Sequence, residues 1–349
     1  MNDSPARPRV SVIMAVRNEA GSIRMAVSSV LDQDVNGIDL ELLVVDGRSD
    51  DGSREVLEEI AAAEPRLRVL DNPHRLTPHA FNIGLREAAG DYVCIFGSHT
   101  SYDRDYIAVC LEELERHGAV GSSGRVLIEP ADDSLGSQLV VWMLNSSFAS
   151  SGRSFRTAPE GFADSIAYPL FRKEPLLEIG GYNERLARNQ DNDMNQRLRA
   201  AGHRLYLTWR TTSRYRAQPG PIALMRYAYR NGYWNYMTIA ENPRAMRARH
   251  FTPLAFVAGV AGSSLAAGIT AAAGRRRLSS AFGRLSAAGL GAHLAAGTLT
   301  GVVTAVRERR PEPLLLPLPI LGFHASYGVG TLMALLQRAT AAELSPPDG

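Results

Sequence analysis

The sequence predicts an α/β fold with a mainly parallel central sheet, followed by a helical, membrane-spanning region. The first observation is that β-branched apolar runs alternate with helical patterns over the first 120 residues. This alternation is typical of βαβ units, whose crossover helices connect parallel strands. The second is that polar residues follow the predicted strand ends, where open α/β sheets bind ligands. The third is a change near Pro219, first to Arg mixed with Tyr and Trp, then to Ala, Gly and Leu.

Composition excludes several classes of protein. The 349 residues are 45% hydrophobic and 21% charged, which fits a folded domain with an appendage rather than a disordered chain. The formal net charge is +2 and no basic run is interleaved with aromatics in the first 200 residues, so nucleic acid is not an expected partner. Cys94 and Cys110, in a predicted strand and a predicted helix, suggest no disulfide framework. The first ten residues lack an apolar segment, so we expect no secretory signal peptide.

Each predicted element follows from its apolar spacing and from its flanking Gly, Asp or Pro residues. The predicted strands are residues 9–16, 40–46, 67–71, 92–96, 124–129, 166–171 and 205–208. The predicted helices are 20–31, the segment ending at 63, 77–89, 103–117, 135–148 and a segment from 189–191 to 201. Residues 149–163 are small and polar, which indicates a mobile loop.

Three low-charge stretches after residue 250 have the length of a membrane span, about 20 residues. They are residues 251–273, 287–306 and 314–336. A soluble helical bundle is the alternative, but it leaves the near absence of charge inside all three unexplained. Basic clusters lie at 244–250, 275–277 and 307–310, and with three spans they cannot all face the cytoplasm.

Two acidic positions and one tripeptide are the first candidates for chemistry. Asp46 ends the second strand, where its carboxylate can accept the imide N–H of a uracil or another nucleobase donor, or can cap the next turn. Gly97-Ser98-His99 follows the fourth strand and can hold a metal ion or approach a diphosphate; the alternative is an ordinary turn with a surface His. Asp191 and Asp193 lie at a helix start, which keeps acids ionised, although a helix-capping role is the alternative.

The loop 73–82 is a further candidate, because Arg75, His79 and Asn82 can meet phosphate oxygens. A dinucleotide-binding enzyme is not favoured, since residues 15–20 lack the Gly-x-Gly-x-x-Gly turn after the first strand.

The sequence resembles the inverting family 2 glycosyltransferases with the GT-A fold, and within them the succinoglycan-biosynthesis branch. The resemblance spans about residues 8–240. It rests on VSVIMAVRNE, LLVVDGRSDDGS, NPHRLTPHAFNIGLREAAGDY, the fourth strand with its tripeptide, and GGYNERLARNQDNDMNQRLRAAG. It implies that Asp191 is the catalytic base. The residues implied to bind the nucleotide sugar are Ala15, Arg17, Glu19, Asp46, Arg75, Asn82, Gly97 and Ser98.

The resemblance also implies a divalent metal, Mn²⁺ or Mg²⁺, at the tripeptide, which matches an Asp-x-Asp motif often written Asp-Ala-His in this branch. This chain departs from that pattern, because the first Asp is Gly97 and the acid that usually precedes Asp191 is Gln190. His99 is the remaining obvious ligand, and Asp193 is a second candidate. An imidazole favours Mn²⁺ over Mg²⁺. If no metal binds, Arg75 or Arg17 is expected to neutralise the leaving diphosphate.

The function implied is transfer of a sugar from a nucleotide-diphosphate sugar, with inversion, to a membrane-associated and polyprenyl-linked glycan. Exopolysaccharide or cell-envelope glycan synthesis at the cytoplasmic face of the inner membrane is the expected context. The alternative is a non-catalytic relative that binds sugar nucleotides or lipids. We expect a GT-A catalytic domain over 1–218, an amphipathic interfacial helix or linker over 219–250, and about three membrane helices over 251–340. For the segment 221–236, a core-packed helix is the alternative.

Overall fold

The computed structural model describes residues 7–150, 156 and 158–339. Within them the chain forms two compact units, each treated separately below. The α/β unit contains residues 7–127, 156 and 158–216, and the helical unit contains 128–150 and 217–339. The α/β unit ends within two residues of the predicted boundary at 218. Residues 128–150, which we expected in the α/β domain, belong to the helical unit.

Four parallel strands form the first half of the sheet, in the spatial order β3-β2-β1-β4. They are β1 (Arg9–Val16), β2 (Asp39–Asp46), β3 (Leu67–Asp71) and β4 (Tyr92–Gly97). Val16 lies opposite Asp46, and Ala15 lies opposite Gly97. The carboxyl ends of β1, β2 and β4 therefore meet at one edge, as the alternation of strands and helices predicts.

The second half of the sheet is largely antiparallel, so the described sheet is mixed. Its strands are β5 (Thr100–Tyr102), β6 (Gly121–Glu129), β7 (Gly161–Ala163), β8 (Leu170–Arg172) and β9 (Leu205–Arg216). β8 is antiparallel to both β4 and β6, and β9 is antiparallel to both β5 and β7. Three of these strands have only three residues, too few for alternation to reveal them in the sequence. Of the predicted loop 149–163, residues 151–155 and 157 lie outside the described residues.

Helices cover both faces of the sheet, because successive strand residues point to opposite sides. The helices of this unit are α1 (Ile23–Leu31), α2 (Ser53–Ala63), α3 (Thr77–Glu87), α4 (Tyr106–His117), α7 (Lys173–Glu178) and α8 (Gln190–Ala200). Val12, Met14 and Val44 pack in one apolar cluster with residues of α1, α2 and α4. Ile13 and Leu43 pack in the other with residues of α3 and α8.

The helical unit combines a short internal segment with the C-terminal helices. Its members are α5 (Leu135–Leu144), α6 (Ser147–Ser150), α9 (Pro221–Glu241), α10 (Thr252–Ala272), α11 (Arg276–Glu308) and α12 (Pro317–Ala339), with short 3₁₀ helices at Ala248–Phe251 and Glu312–Leu315. Segments Ala248–Ala272, Arg276–Glu308 and Pro317–Arg338 are long and apolar enough to cross a membrane. The three predicted low-charge stretches are confirmed as helices of this kind. α9 buries Ala228, Gly232 and Trp234, so one side of it is packed within the unit.

Candidate active site

The loops after β1 and β2 are joined to each other by hydrogen bonds. The Asn18 N–H donates to Ser49 Oγ at 2.9 Å, and the Glu19 N–H donates to Ser53 Oγ at 2.7 Å. In return, the Asp50 N–H donates to Asn18 Oδ1 at 3.0 Å. These bonds continue the β1–β2 pairing past the strand ends. The segment 15–19, predicted to bind the nucleotide, is therefore held against the loop after β2.

Asp46 is buried at the end of β2, with 2% of its surface exposed. Its Oδ1 accepts a hydrogen bond from Ser49 Oγ at 2.6 Å, and its Oδ2 lies 3.6 Å from Nη1 of Arg54. The turn-capping alternative is therefore realised in the structure. An ionised carboxylate has about four acceptor positions, so these contacts leave capacity for a ligand donor.

Arg17 and Arg75 approach each other across Gly47. A Cβ atom built on Gly47 would lie 3.3 Å from Cβ of Arg17 and 3.4 Å from Cα of Arg75. Both arginines are exposed, and within the described part of the chain neither forms an ion pair. The structure thus brings together two of the predicted phosphate contacts, which lie after different strands.

Gly97 is closed in by Tyr168. A Cβ at position 97 would lie 3.1 Å from Cε1 of the Tyr168 ring. Tyr168 has a positive φ of 52°, and its carbonyl oxygen accepts a hydrogen bond from Tyr106 Oη at 2.9 Å. The Gly97 N–H donates to Tyr102 Oη at 2.8 Å. An aspartate at position 97 would require the Tyr168 ring to shift by a few tenths of an ångström, so the glycine fits the position more easily.

His99 is paired with Glu19, so the third tripeptide residue joins the loops after β4 and β1. His99 Nε2 lies 2.6 Å from Glu19 Oε1, and Glu19 Oε2 accepts a hydrogen bond from Ser22 Oγ at 2.9 Å. The hydrogen bond from Glu19 raises the pKa of His99, while partial desolvation opposes it. Sequence reasoning placed both residues in the site but did not pair them.

Two side chains near the tripeptide, His99 and Glu19, could coordinate a metal ion, which is fewer than a divalent cation usually takes. Among the residues described, no three His, Cys, Asp or Glu side chains are grouped to hold a metal ion. Ser98 is buried and carries no carboxylate. The imidazole of His99 and the carboxylate of Glu19 lie together, so they suit a cation that also takes oxygens from a bound diphosphate.

Asp193, predicted as a second metal ligand, has a different role in the structure. It is 1% exposed, and its Oδ2 accepts a hydrogen bond from Nε of Arg197 at 2.8 Å. Arg197 also donates to the carbonyl oxygens of Ile179 and Gly181. The Asp193–Arg197 pair therefore connects α8 to the turn before it. Helix spacing alone does not reveal that the Asp193 side chain points this way.

Asp191 lies in the first turn of α8, as the sequence predicts. Its Oδ1 accepts a hydrogen bond from the Asn192 N–H at 2.9 Å. The residue is exposed to solvent, and partial desolvation by the neighbouring protein raises the pKa of Asp191 above the ordinary value of an aspartate. The positive charge of Arg156 acts in the opposite direction. A carboxylate whose proton affinity is raised is suited to general-base work.

Arg156 is the functional neighbour that sequence reasoning missed. It belongs to the predicted loop 149–163, and its charge acts on Asp191. A single arginine in a polar loop carries no signal in a chain with 38 Lys and Arg residues.

Asn82, predicted to contact the nucleotide sugar, is occupied within the protein. Its Nδ2 donates to the Tyr182 carbonyl oxygen and to Glu184 Oε1, both at 2.9 Å. Its Oδ1 accepts from the Tyr182 N–H at 2.7 Å. Asn82 therefore connects α3 to the turn that precedes α8.

Backbone strain is concentrated at this edge of the sheet. A non-glycine residue with positive φ is uncommon, and such residues cluster at functional sites. Of the six among the described residues, five lie in loops that flank the site: Asn18, Arg48, Arg75, Tyr168 and Asn189.

Comparisons with known proteins agree with this geometry. Residues 11–180 match the profile of glycosyl transferase family 2. The succinoglycan biosynthesis protein ExoA of Rhizobium meliloti is 29% identical over 226 residues, which cover 63% of this chain and 68% of that protein. A dolichyl N-acetyl-alpha-D-glucosaminyl phosphate 3-beta-D-2,3-diacetamido-2,3-dideoxy-beta-D-glucuronosyltransferase of Methanococcus voltae is 25% identical over 215 residues, covering 59% of this chain and 66% of that one.

A solved structure shows the same fold. The mannosyltransferase PcManGT from Pyrobaculum calidifontis, in complex with GDP-Man and Mn²⁺, superimposes with a TM-score of 0.57 at 20% identity. The match covers 97% of this chain and 89% of that one. Family profile, relatives and fold together identify residues 11–180 as a family 2 glycosyltransferase domain with the GT-A fold, and this chain as a glycosyltransferase.

Proposed function

We propose that this chain transfers a sugar, with inversion, from a nucleotide-diphosphate sugar to a hydroxyl of a membrane-associated, polyprenyl-linked glycan. The product serves exopolysaccharide or cell-envelope glycan synthesis. The observation that carries the proposal is Asp191, a solvent-reaching carboxylate of raised pKa in the first turn of α8. The three helices long enough to cross a membrane support an acceptor that is held in lipid.

The donor lies along the carboxyl edge of β1, β2 and β4 in this proposal. Asp46 accepts an N–H from the nucleobase, next to the β1 end at Ala15. Gly97 and Ser98 allow the diphosphate to approach the backbone, since neither carries a long side chain. Arg17 and Arg75, exposed and without an ion pair among the described residues, meet the diphosphate oxygens.

The reaction is a direct displacement at the anomeric carbon. Asp191 takes the proton of the acceptor hydroxyl as its oxygen bonds to that carbon, and the bond to the diphosphate oxygen breaks on the opposite face. Arg17 and Arg75 stabilise the negative charge that develops on the leaving diphosphate. His99 and Glu19 are the residues that would hold a divalent cation, which, when bound, would neutralise part of the diphosphate charge.

Replacing Asp191 with Asn tests the assignment of the base. The amide keeps the shape but cannot take a proton, so we expect transfer to fall by about 10²–10⁴-fold while the affinity for the donor is retained. The exposed Glu59→Gln, on α2, is the matched carboxylate-to-amide control. Transfer at the wild-type rate in Asp191→Asn, under saturating donor, would exclude this role. If the wild type bound the donor but neither transferred the sugar nor hydrolysed the sugar nucleotide, the non-catalytic alternative would be favoured.

We place the protein in the cell inner membrane with the catalytic domain in the cytoplasm, where nucleotide sugars are available. Sealed membrane vesicles offer the test. Activity toward externally added donor is expected in inside-out vesicles and not in right-side-out vesicles. The reverse result would contradict the placement.

A further inference from the structure

The contacts between α10 and α11 define an antiparallel hairpin with a fixed register. Ser286 Oγ lies 2.7 Å from Ser264 Oγ, and the rings of Phe256 and His293 are 4.5 Å apart. Because the two helices are antiparallel, each residue further along α10 lies beside one residue earlier in α11. Pro253 therefore lies beside residues 296–297, at the same height along the hairpin axis. From that level to the turn at 273–275 each helix has about 20 residues, which measure about 30 Å, the thickness of the hydrocarbon core.

α12 crosses this hairpin instead of running beside it. A Cβ on Gly297 of α11 would lie 3.0 Å from Cα of Pro317, where α12 begins. A Cβ on Gly328 of α12 would overlap the carbonyl oxygen of Pro253 in α10. Pro317 and Gly328 are separated by about 16 Å of helix, yet they meet the hairpin at one level. α12 therefore lies roughly perpendicular to α10 and α11.

α9 lies antiparallel to α12 in the same layer. A Cβ on Gly232 of α9 would overlap the carbonyl oxygen of Tyr327, and a Cβ on Gly330 of α12 would overlap that of Tyr229. Asn235 Nδ2 also donates to Tyr327 Oη at 2.6 Å. The two helix axes are therefore aligned, and α9, like α12, crosses the hairpin.

The surfaces of this α9–α12 pair suit the boundary between lipid and water. α12 exposes Leu318, Val329 and Leu336, which lie on one stripe at helical spacing. α9 exposes Arg226 and Arg230 near its middle. If the pair spanned the membrane, those arginines would lie near its centre, where charge is costly. In the plane of the interface, they reach the headgroups while the leucines enter the acyl chains.

We propose that only α10 and α11 cross the bilayer, and that the α9–α12 pair lies in the headgroup layer where the open end of the hairpin emerges. The partner of this pair is the phospholipid surface. The inference rests on the proposed membrane location and replaces the expected three spans with two. The basic clusters 244–250 and 307–310 then lie on the side of the pair and 275–277 at the hairpin turn on the other side, the same distribution that three spans would give.

Arg284 is a charged residue that this placement puts inside the hydrocarbon, about 12 Å from the turn by the hairpin register, so it carries the same kind of cost that Arg226 and Arg230 would carry in a spanning pair. Its Nε donates to the Ser280 carbonyl oxygen at 3.3 Å, so the side chain is directed toward the turn, as expected for an arginine that reaches for the nearer surface.

Single-cysteine labelling of the full chain in intact cells tests the number of spans. The native Cys94 and Cys110 are buried and give little background. A maleimide that cannot cross membranes should label Ala273→Cys from outside, and should label Arg309→Cys and Arg338→Cys only after permeabilisation. With three spans Arg338→Cys would be labelled in intact cells, and this would overturn the inference. If Ala273→Cys were not labelled in intact cells, the hairpin itself would not cross, and the membrane location would fail with it.

The depth of α12 provides an independent readout. Fluorophores on Leu318→Cys, Val329→Cys and Leu336→Cys, quenched by lipids labelled at defined depths, should all report one depth to within a few ångströms. A spanning helix would separate the first and last by about 27 Å. Leu278→Cys and Leu290→Cys on α11, exposed positions about 18 Å apart within the proposed span, are the matched control.

Discussion

At the scale of single residues, the site combines positions that the sequence predicts with partners that it does not. Asp46 and Asp191 are predictable because a strand end and a helix start determine where their backbones lie. Tyr168 and Arg156 are not, since they reach Gly97 and Asp191 from distant parts of the chain. The side chains of Asp193 and Asn82 turn inward to Arg197 and Tyr182, a direction that the sequence does not reveal.

Asp46→Ala should weaken nucleotide binding more than it slows turnover. A buried donor left without its acceptor costs about 1–3 kcal/mol, which is about 5- to 150-fold in affinity. Calorimetry with the free nucleoside diphosphate measures this loss. Ser49→Ala, which removes the hydrogen bonds of Ser49 Oγ with Asp46 and with the Asn18 N–H but keeps the carboxylate, is the control and should retain most of the affinity. Equal losses in the two variants would show that Asp46 acts through the turn alone.

The pH dependence of turnover should report Asp191. Only the ionised carboxylate can accept a proton, and desolvation raises its pKa above 3.8. kcat should therefore fall as the pH decreases through this raised pKa, at a higher pH than an ordinary aspartate would give. Profiles at saturating donor for the wild type and Asp191→Glu, with circular dichroism to confirm folding at each pH, test this. An acidic limb that is unchanged in Asp191→Glu would assign it to another group.

The pair of His99 and Glu19 should bind a metal only together with nucleotide. Two protein ligands are few for a divalent cation, and the imidazole favours Mn²⁺ over Mg²⁺. Titration with Mn²⁺ alone should show no tight site, whereas Mn²⁺ should increase the affinity for the nucleoside diphosphate. Glu19→Gln and His99→Ala should each reduce that increase. Full activity of the wild type in excess EDTA would show that Arg17 and Arg75 manage the leaving group without a metal.

At the scale of elements, a strand or helix can be predicted when its local pattern of apolar residues reveals it. The four parallel strands are buried on both faces and separated by helices, so apolar runs reveal them. The antiparallel half of the sheet depends on pairings between segments far apart in the chain, such as β5 with β9. No local sequence pattern predicts these pairings. The glycines of α9 and α12 likewise give no local signal, although they allow the two helices to touch.

Gly232→Leu should separate α9 from α12. The first carbon of the new side chain already overlaps the Tyr327 carbonyl oxygen, and overpacking of this kind costs about 1–3 kcal/mol or more. Gly259→Leu on α10, where no atom lies within 4 Å of the added carbon, is the matched control. Thermal unfolding in detergent should show a lower Tm for the first variant only. Equal Tm values would mean that the helix contact is not required for stability.

At the scale of the whole molecule, the C-terminal hairpin should be what holds the protein in the membrane. Full-length protein is expected to resist carbonate extraction, because α10 and α11 present long apolar surfaces. A chain that ends at residue 250 should be released by carbonate. Deleting residues 340–349 is the control and should leave the protein in the membrane. Release of the full-length protein by carbonate, without detergent, would contradict the prediction.

The insertion of α5 between β6 and β7 has a consequence for biosynthesis. Residues 128–150 are made early, yet α5 packs against α9 and the 3₁₀ helix Glu312–Leu315, and this 3₁₀ helix is among the last elements synthesised. Seven of its ten residues are buried in the finished protein. The packing of α5 is therefore completed only after about 165 further residues, including all of α10 and α11, have been synthesised.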